Sequence, residues 1–565
     1  MCMRLIKRLL ILALLLIAVP CWGATYNFYF SNTGTDTPDG SPSTSCNATD
    51  NACTTITHVN TVVDYADSGD TVYLYFNRGD TWSYDTRTLD GSPEYALGVV
   101  VTDPTVHFDA YGSGALPIFD GLEDHTSADN SVCGGSAPCQ YTQFFRFEKE
   151  NCSISNLEIV NTYGHAIRLG GATDDADGFT LDHVTAHNIG RNVITVTSGL
   201  GIENAIARYN TIYETSKLRE SGDYAGWGGA IGFTASGYGS ASMCKNNIVQ
   251  YNLLYDNHGE AINAPNSVVE YNVIGDSYSV AINIAQHDFD ALTSVVRYNF
   301  IIGSDGGAGG GRATGIRIYD EEYGGTNSAA DISIYGNIII NRNYGIRFYC
   351  NDEAPAGYEP PNDTGDECDN PYGSIKIYNN LAIDNDNGLG TAANYYFDDL
   401  DEASAAYIYN NVSIHYDRTN IQHTRSVNAH ANWTYSNNSF YPVDVDDTVG
   451  TGWTTAYVTG DPVLPGAATA TWTDSSGAGY YNSIDYTTHL YPTTGDLIQG
   501  GYDHAFEQTF LTTGTDFEDV LDGASAFTEA EQHLTLQDIG PWARGTSEPV
   551  PFYPLQGVKL SGAKY

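Results

Sequence analysis

The sequence predicts an all-β parallel solenoid, and three observations predict it. An asparagine recurs in strings such as IVQYNLLYDN, VVEYNVIGDS, VVRYNFIIGS, SIYGNIIINR and KIYNNLAIDN, most often 27 residues after the last. The flanking apolar residues alternate with period two, the mark of strands with one face inward. Gly, Asn, Asp, Ser and Thr break the apolar runs every few residues, which favours short strands and turns over helices.

The repeat places each element in turn. Aligned on the recurrent residue, the coils are marked by Asn156, His183, Asn210, Asn252, Asn272, Asn299, Asn337, Asn380, Asn411 and Asn438. The next residue is apolar in Leu157, Val184, Leu253, Val273, Phe300, Ile338, Leu381 and Val412, with Thr211 the first exception. Ile159, Ile302, Ile340, Ile383 and Ile414 continue the alternation, so Val273 and its equivalents are expected to be levels of the core. A polar turn and a second strand follow, in HAIRLG, NVITVT, GAIGFT, EAINAP, VAINIA, TGIRIY and YGIRFY. A loop of variable length and a third strand then lead back to the next Asn. Three strands per turn stack about 4.8 Å apart. Asn suits such a turn because it tolerates the left-handed conformation and its amide can bond the Asn of the next coil.

Composition bounds what the chain can do. Its 565 residues carry 24 Lys+Arg against 69 Asp+Glu, a formal charge of −45, with 59 Gly and 42 Tyr. That is ample for a large core and argues against general disorder. The charge and the lack of a basic patch exclude nucleic acid as the expected partner. Arg4, Lys7 and Arg8 precede the apolar run 9–19, and Cys21-Trp22-Gly23 offers a small-residue cleavage site, so 1–23 reads as a secretory signal. Cys21 also suggests a lipid-anchored start, which Pro20 fits poorly. No other apolar stretch is long enough to span a bilayer. The expected location is outside the cytoplasm: secreted, periplasmic or at the cell surface. Beyond the signal, 24–145 is expected to form an N-terminal cap and first coils, 146–445 the regular solenoid, and 446–565 closing coils or a small separate β domain.

The cysteines agree with export. Cys46 with Cys53, Cys133 with Cys139, and Cys350 with Cys368 are close pairs in polar loops, expected as disulfides. Cys152 and Cys244 begin predicted strands of the first and fourth coils, roughly 14 Å apart at the coil rise. They are expected to be buried thiols.

The Asn repeat together with YNFYFSNTGTDTPDGS (26–41), ADSGDTVYL (66–74), FDAYGSGALPIFDG (108–121), DPVL (461–464) and DIG (538–540) resembles the secreted right-handed parallel β-helix proteins of the pectate-lyase-like group. The resemblance spans nearly all of the chain after the signal. It implies a right-handed parallel β-helix with an N-terminal cap and irregular C-terminal closing coils. It also implies a polysaccharide partner, received in a groove along the sheet that follows the Asn-turn strand. The group holds lyases, hydrolases, epimerases and proteins without a known reaction, so fold does not deliver activity.

Parity in that sheet nominates residues. With Ile167, Ile194, Ile231, Ile262, Ile282, Ile316 and Ile346 inward, Arg168, Thr195, Gly232, Asn263, Asn283, Arg317 and Arg347 face out. Tyr319 and Tyr349 share that face. The Arg forks suit uronate carboxylates and the Tyr rings suit sugar faces; alternatively the two Arg pair with Asp320, Glu321, Glu322 or Asp352 and line a wall. The insertion 214–229 adds Lys217, Arg219 and Trp227, and neighbouring loops add His258, Glu260, His287, Asp288 and Asp290. For a β-elimination lyase, Arg317 or Arg347 would neutralise the uronate, with Lys217, His258, His287 or Tyr319 as base or acid. A glycoside hydrolase would draw two carboxylates from Glu260, Asp288, Asp320 and Glu322. Substrate contacts would fall to Arg168, Arg219, Trp227, Asn263, Asn283 and Tyr349. The NTD, DD and GHG order of polygalacturonases and a DPHE-like epimerase string are absent. DTPDGS near Asp36 and Asp39 and TDDADG at 173–178 are calcium candidates without full EF-hand spacing. A non-catalytic glycan-binding or adhesion protein is the reading from another class: an acidic solenoid repels polyanions at low salt.

Overall fold

In the computed structural model the described residues are 23–35, 46–83, 96–121, 143–171, 176–197, 201–217, 228–235, 244–275, 277–286, 293–303, 314–320, 331–350, 374–383, 385, 393–397, 405–409, 411–415, 423–426, 433–436, 438–441 and 457–458. Three parallel sheets run the length of a β-helix. The first has 13 strands, from Thr25–Phe30 to Trp433–Ser436; the second has 13, from Thr81–Ser83 to Tyr457–Val458; the third has 11, from Ala96–Val101 to Thr424–Ser426. One coil shows the path: Ser267–Glu270 in the first sheet, Val273–Gly275 in the second, Val280–Gln286 in the third, then Thr293–Arg297 back in the first. Each strand pairs with its equivalent one coil away, so three short strands per turn are the repeating unit.

The Asn ladder is continuous from Asn210 to Asn438. Each member's backbone N–H and side-chain Nδ2 both donate to Oδ1 of the next; Asn272 does so to Asn299 at 3.0 Å and 3.0 Å. Nδ2 also donates to the strand before, as Asn272 does to Val249 O at 2.9 Å. Every polar atom of a fully buried amide is therefore used, which is how a polar column is tolerated inside an apolar coil.

Two details differ from the expected alignment. His183 pairs with Tyr209, not Asn210, so Asn156 and His183 stand one residue before the ladder. They share the left-handed column with Tyr209, Tyr251, Tyr271 and Tyr298, at φ of 53–56°. In these later coils the positive φ falls on the residue before the ladder Asn, and the Asn turns its amide inward. Leu157 and Val184 occupy the ladder column in the early coils, as core residues, and Val184 N donates to Asn210 Oδ1. Thr211 is then no exception, because its column holds Glu158 and Thr185. The second correction follows: Ile212, Leu254, Ile274, Ile301 and Ile339 fill the core, while Val273, Phe300 and Ile338 lie on the outer face, buried all the same.

At the N-terminal end the helix α1 (Ile56–Tyr65) closes the stack. Thr55 caps it by accepting from His58 N, and Val59, Val62 and Val63 bury one stripe at helical spacing. Asn60 takes the place of a further strand for the third sheet's edge: its Nδ2 donates to Gly98 O, and its Oδ1 accepts from Val100 N. An otherwise open edge is thereby paired. The Cys46–Cys53 disulfide is present. Cys46 O and Cys53 N bond to Tyr29 on the edge strand of the first sheet. Cys152 and Cys244 are both buried, as expected, and burial pushes the Cys152 thiol up to about 12. Cys133, Cys139 and Cys368, and the side chain of Cys350, lie outside the described residues.

Candidate functional site on the third sheet

The third sheet has the expected parity. Ile167, Ile194, Ile231, Ile262, Ile282, Ile316 and Ile346 all point into the core, and Gly232, Asn263, Asn283, Arg317 and Arg347 follow one another in register on the outer face. The strands do not keep strict period two. In Ala261-Ile262, Ala166-Ile167, Val193-Ile194 and Ala230-Ile231 both residues face the core. The residue before each pair is therefore turned outward as well. This doubled step brings Glu260 beside Asn263, and it gives the face a second column.

Glu260 is the hub of the middle coils. Its Oε1 accepts from Arg317 Nη2 at 2.7 Å and from Asn283 Nδ2 at 3.2 Å, and its Oε2 accepts from Asn263 Nδ2 at 2.9 Å. Arg317 Nε donates to Asn283 Oδ1 at 2.9 Å. The ion pair is 12% exposed on both sides, sheltered enough for charge-assisted bonds to hold it in one geometry. Arg347, one coil on, is packed between two rings, 4.5 Å from the Tyr344 centroid and 5.1 Å from Tyr396. Such cation–π contacts fix the guanidinium plane.

Lys217 and His258 sit on adjacent turns beside this cluster, joined by His258 N donating to Thr215 O. Lys217 Nζ lies 4.0 Å from Glu214 and His258 Nε2 lies 3.8 Å from Asp256. Arg168 is further down the sheet, its Nε donating to Thr197 Oγ1 at 3.0 Å. Arg219, Trp227, His287, Asp288 and Glu322 lie outside the described residues. Tyr319, Asp320 and Tyr349 are placed by backbone only: Tyr319 pairs with Tyr349, and Asp320 with Cys350.

The sequence reading missed Tyr344 and Tyr396, which flank Arg347, and His165, Gln143, Arg146 and Arg191 near Arg168. The signal that finds His165 and Tyr344 is the small residue before each inward Ile, which turns its predecessor outward.

Of the calcium candidates, Asp36, Asp39, Asp174 and Asp175 lie outside the described residues, and Asp177 Oδ1 accepts from Glu203 N of the next coil. Among the described residues one group of His, Cys, Asp and Glu is close enough to share a metal, Cys46, Cys53 and His58. Its two cysteines form the disulfide.

The coil-by-coil register, the interior Asn ladder and the polar outer face of the third sheet define a three-sheet parallel β-helix protein. No family model matches the sequence, and no curated protein matches it. Among solved structures, pectate lyase Pel9A superposes with a TM-score of 0.40 at 11% identity, over 92% of this chain and 96% of that one. A PL6 alginate lyase in complex with a trisaccharide gives 0.40 at 14% identity, over 78% and 89%. The GH136 lacto-N-biosidase from Eubacterium ramulus gives 0.40 at 13%, over 75% and 67%. These likenesses concern the fold alone. No helix among the described residues is long and apolar enough to cross a membrane.

Proposed function

We propose that this is an exported, polysaccharide-directed β-helix protein that receives an acidic glycan along the outer face of the third sheet and cleaves it by β-elimination at a uronate unit. The observation that carries the reading is Arg347, oriented by Tyr344 and Tyr396 and in register with Arg317. A guanidinium fork held in plane suits a carboxylate, and neutralising that carboxylate stabilises the charge that develops when C5 loses its proton. A base on the face takes the C5 proton, and the electron pair forms the C4–C5 double bond. The C4–O bond breaks as that double bond forms, its electron pair leaving with the oxygen, which is protonated. Arg317, braced by Glu260, positions the chain. Lys217, His258, His287 and Tyr319 are the base and acid candidates. Calcium is a proposed additional partner for the uronate carboxylate, and no step depends on it. The Cys46–Cys53 disulfide supports an oxidising compartment.

One observation favours a second reading, glycan binding without catalysis. Glu260, Asn263, Asn283 and Arg317 bond chiefly to one another, as a rigid binding wall would. Incubation with alginate, pectate and chondroitin, with and without Ca²⁺, separates the two. Unsaturated products that vanish in Arg347→Ala support the lyase. Retention of a glycan without unsaturated product or new reducing ends supports binding alone.

A further inference from the structure

Far from the third-sheet face, Cys46 Sγ, Cys53 Sγ and one ring nitrogen of His58 all lie within 4.8 Å of one another, and all three residues are buried. His58 stands on the buried stripe of α1 with Val59, Val62 and Val63, where an aliphatic side chain is the ordinary occupant. Its Nε2 is enclosed and has no hydrogen-bond partner among the described residues. An unpaired buried polar group costs about 1–3 kcal/mol, which a bound cation would offset.

Backbone contacts hold the two cysteines together independently of their sulfur–sulfur bond. Tyr29 N donates to Cys46 O at 2.6 Å, Cys53 N donates to Tyr29 O at 2.9 Å, and Ser31 N donates to Cys53 O at 2.8 Å. Their Cα atoms are 5.0 Å apart, so two thiols formed by reduction stay side by side. Rotation about the side-chain bonds sets the sulfurs about 3.8 Å apart, the spacing of two ligands about 2.3 Å from one tetrahedral zinc ion. Thr55 Oγ1 accepts from His58 N at 3.3 Å and fixes the first turn that carries the imidazole. Two thiolates and an imidazole are the donor set that zinc takes, whereas calcium and magnesium prefer oxygen.

We infer that Cys46, Cys53 and His58, once the disulfide is reduced, form a binding site for one zinc ion, with a solvent molecule as fourth ligand. A dithiol reductant supplies two electrons and two protons to the Cys46–Cys53 bond and is itself oxidised to a disulfide. Zn²⁺ then binds both sulfurs as thiolates and the imidazole through a nitrogen lone pair, and the two thiol protons are released. Metal and disulfide exclude each other, so the redox state of the loop decides whether the site exists.

The test compares oxidised and reduced protein, freed of reductant under argon, in titrations with Co²⁺ as a coloured substitute and then with Zn²⁺. Reduced parent should take up one more Co²⁺ with thiolate-to-cobalt absorbance than reduced Cys46→Ser/Cys53→Ser, a difference that discounts the remaining cysteines. Zn²⁺ should bleach that absorbance, and His58→Leu should weaken zinc binding by roughly tenfold or more. Hydrogen exchange supplies a readout on the parent itself. Zn²⁺ at a hundred times its Kd should slow exchange at Thr25–Phe30 in the reduced protein by about a hundredfold, and should leave the oxidised protein unchanged. Equal cobalt uptake by the reduced parent and the double serine variant overturns the inference. So does zinc held as tightly by His58→Leu as by the parent, or exchange at Thr25–Phe30 that zinc does not slow.

Discussion

At the scale of single residues, the ladder asparagines have a defined role. Asn272 accepts two hydrogen bonds from Asn252 and donates two to Asn299. Asn272→Ala strands the Asn252 donors and Val249 O inside the coil. At about 1–3 kcal/mol for each unsatisfied group, the cost should reach about 3–5 kcal/mol in denaturant unfolding. Asn156→Ala should cost far less, because the Asn156 side chain donates to Asp109 at a half-buried turn and its backbone bond to Asp182 O survives the change; equal losses would refute the offset between the two columns. The pair of Glu270 and Arg297 is a second residue-scale case. Glu270 is fully buried and bonds Arg297 Nε at 2.7 Å. Arg297→Met should cost about 3–5 kcal/mol by leaving a buried carboxylate alone, and adding Glu270→Leu should recover much of it. The recurrence of Asn was plain in the sequence. The one-residue shift at Asn156 and His183 was not, since an Asn in a left-handed turn and an Asn inside the coil look alike as letters.

At the scale of elements, the third-sheet strands carry the site and α1 guards their edge. Glu260, from Glu260–Asn263, reaches Arg317 two strands away, so a double-mutant cycle with Glu260→Gln and Arg317→Met should give a coupling of about 1.5–3 kcal/mol. A coupling near zero would mean that the pair is idle. Parity correctly put Asn263, Asn283, Arg317 and Arg347 on one face, because a strand has period two. It did not reveal that Glu260 shares the face, since the doubled inward step at Ala261-Ile262 reverses the parity of everything before it. At the other end of the stack, Cys46–Cys53 closes a short loop over the first sheet's edge. Reduction should destabilise the N-terminal coils by about 2–3 kcal/mol from loop entropy, visible as earlier hydrogen exchange at Thr25–Phe30 with the later coils unchanged.

At the scale of the whole molecule, buried histidines link stability to pH. Burial, joined by Arg191 and Arg168, depresses His165, and burial depresses His107. Each imidazole binds its proton more readily in the unfolded chain. The stability they contribute is therefore fully present above about pH 6.5 and declines as the pH falls toward their folded values. Melting curves between pH 7.5 and 5.0 should show a smaller acid loss for His165→Gln than for the parent, and superimposable profiles would contradict the assignment. The sequence by itself determined the solenoid, its three strands per coil, the inward Ile column and the outward Arg column, because hydrophobic period and turn residues are local properties that repeat. Only the tertiary structure decided that Glu260 braces Arg317, that two tyrosines hold Arg347, and that the outer face of the second sheet is buried from Leu253–Tyr255 to Leu381–Ile383. Those contacts join residues far apart in the chain, and their register depends on loop lengths and bulges that no local pattern encodes.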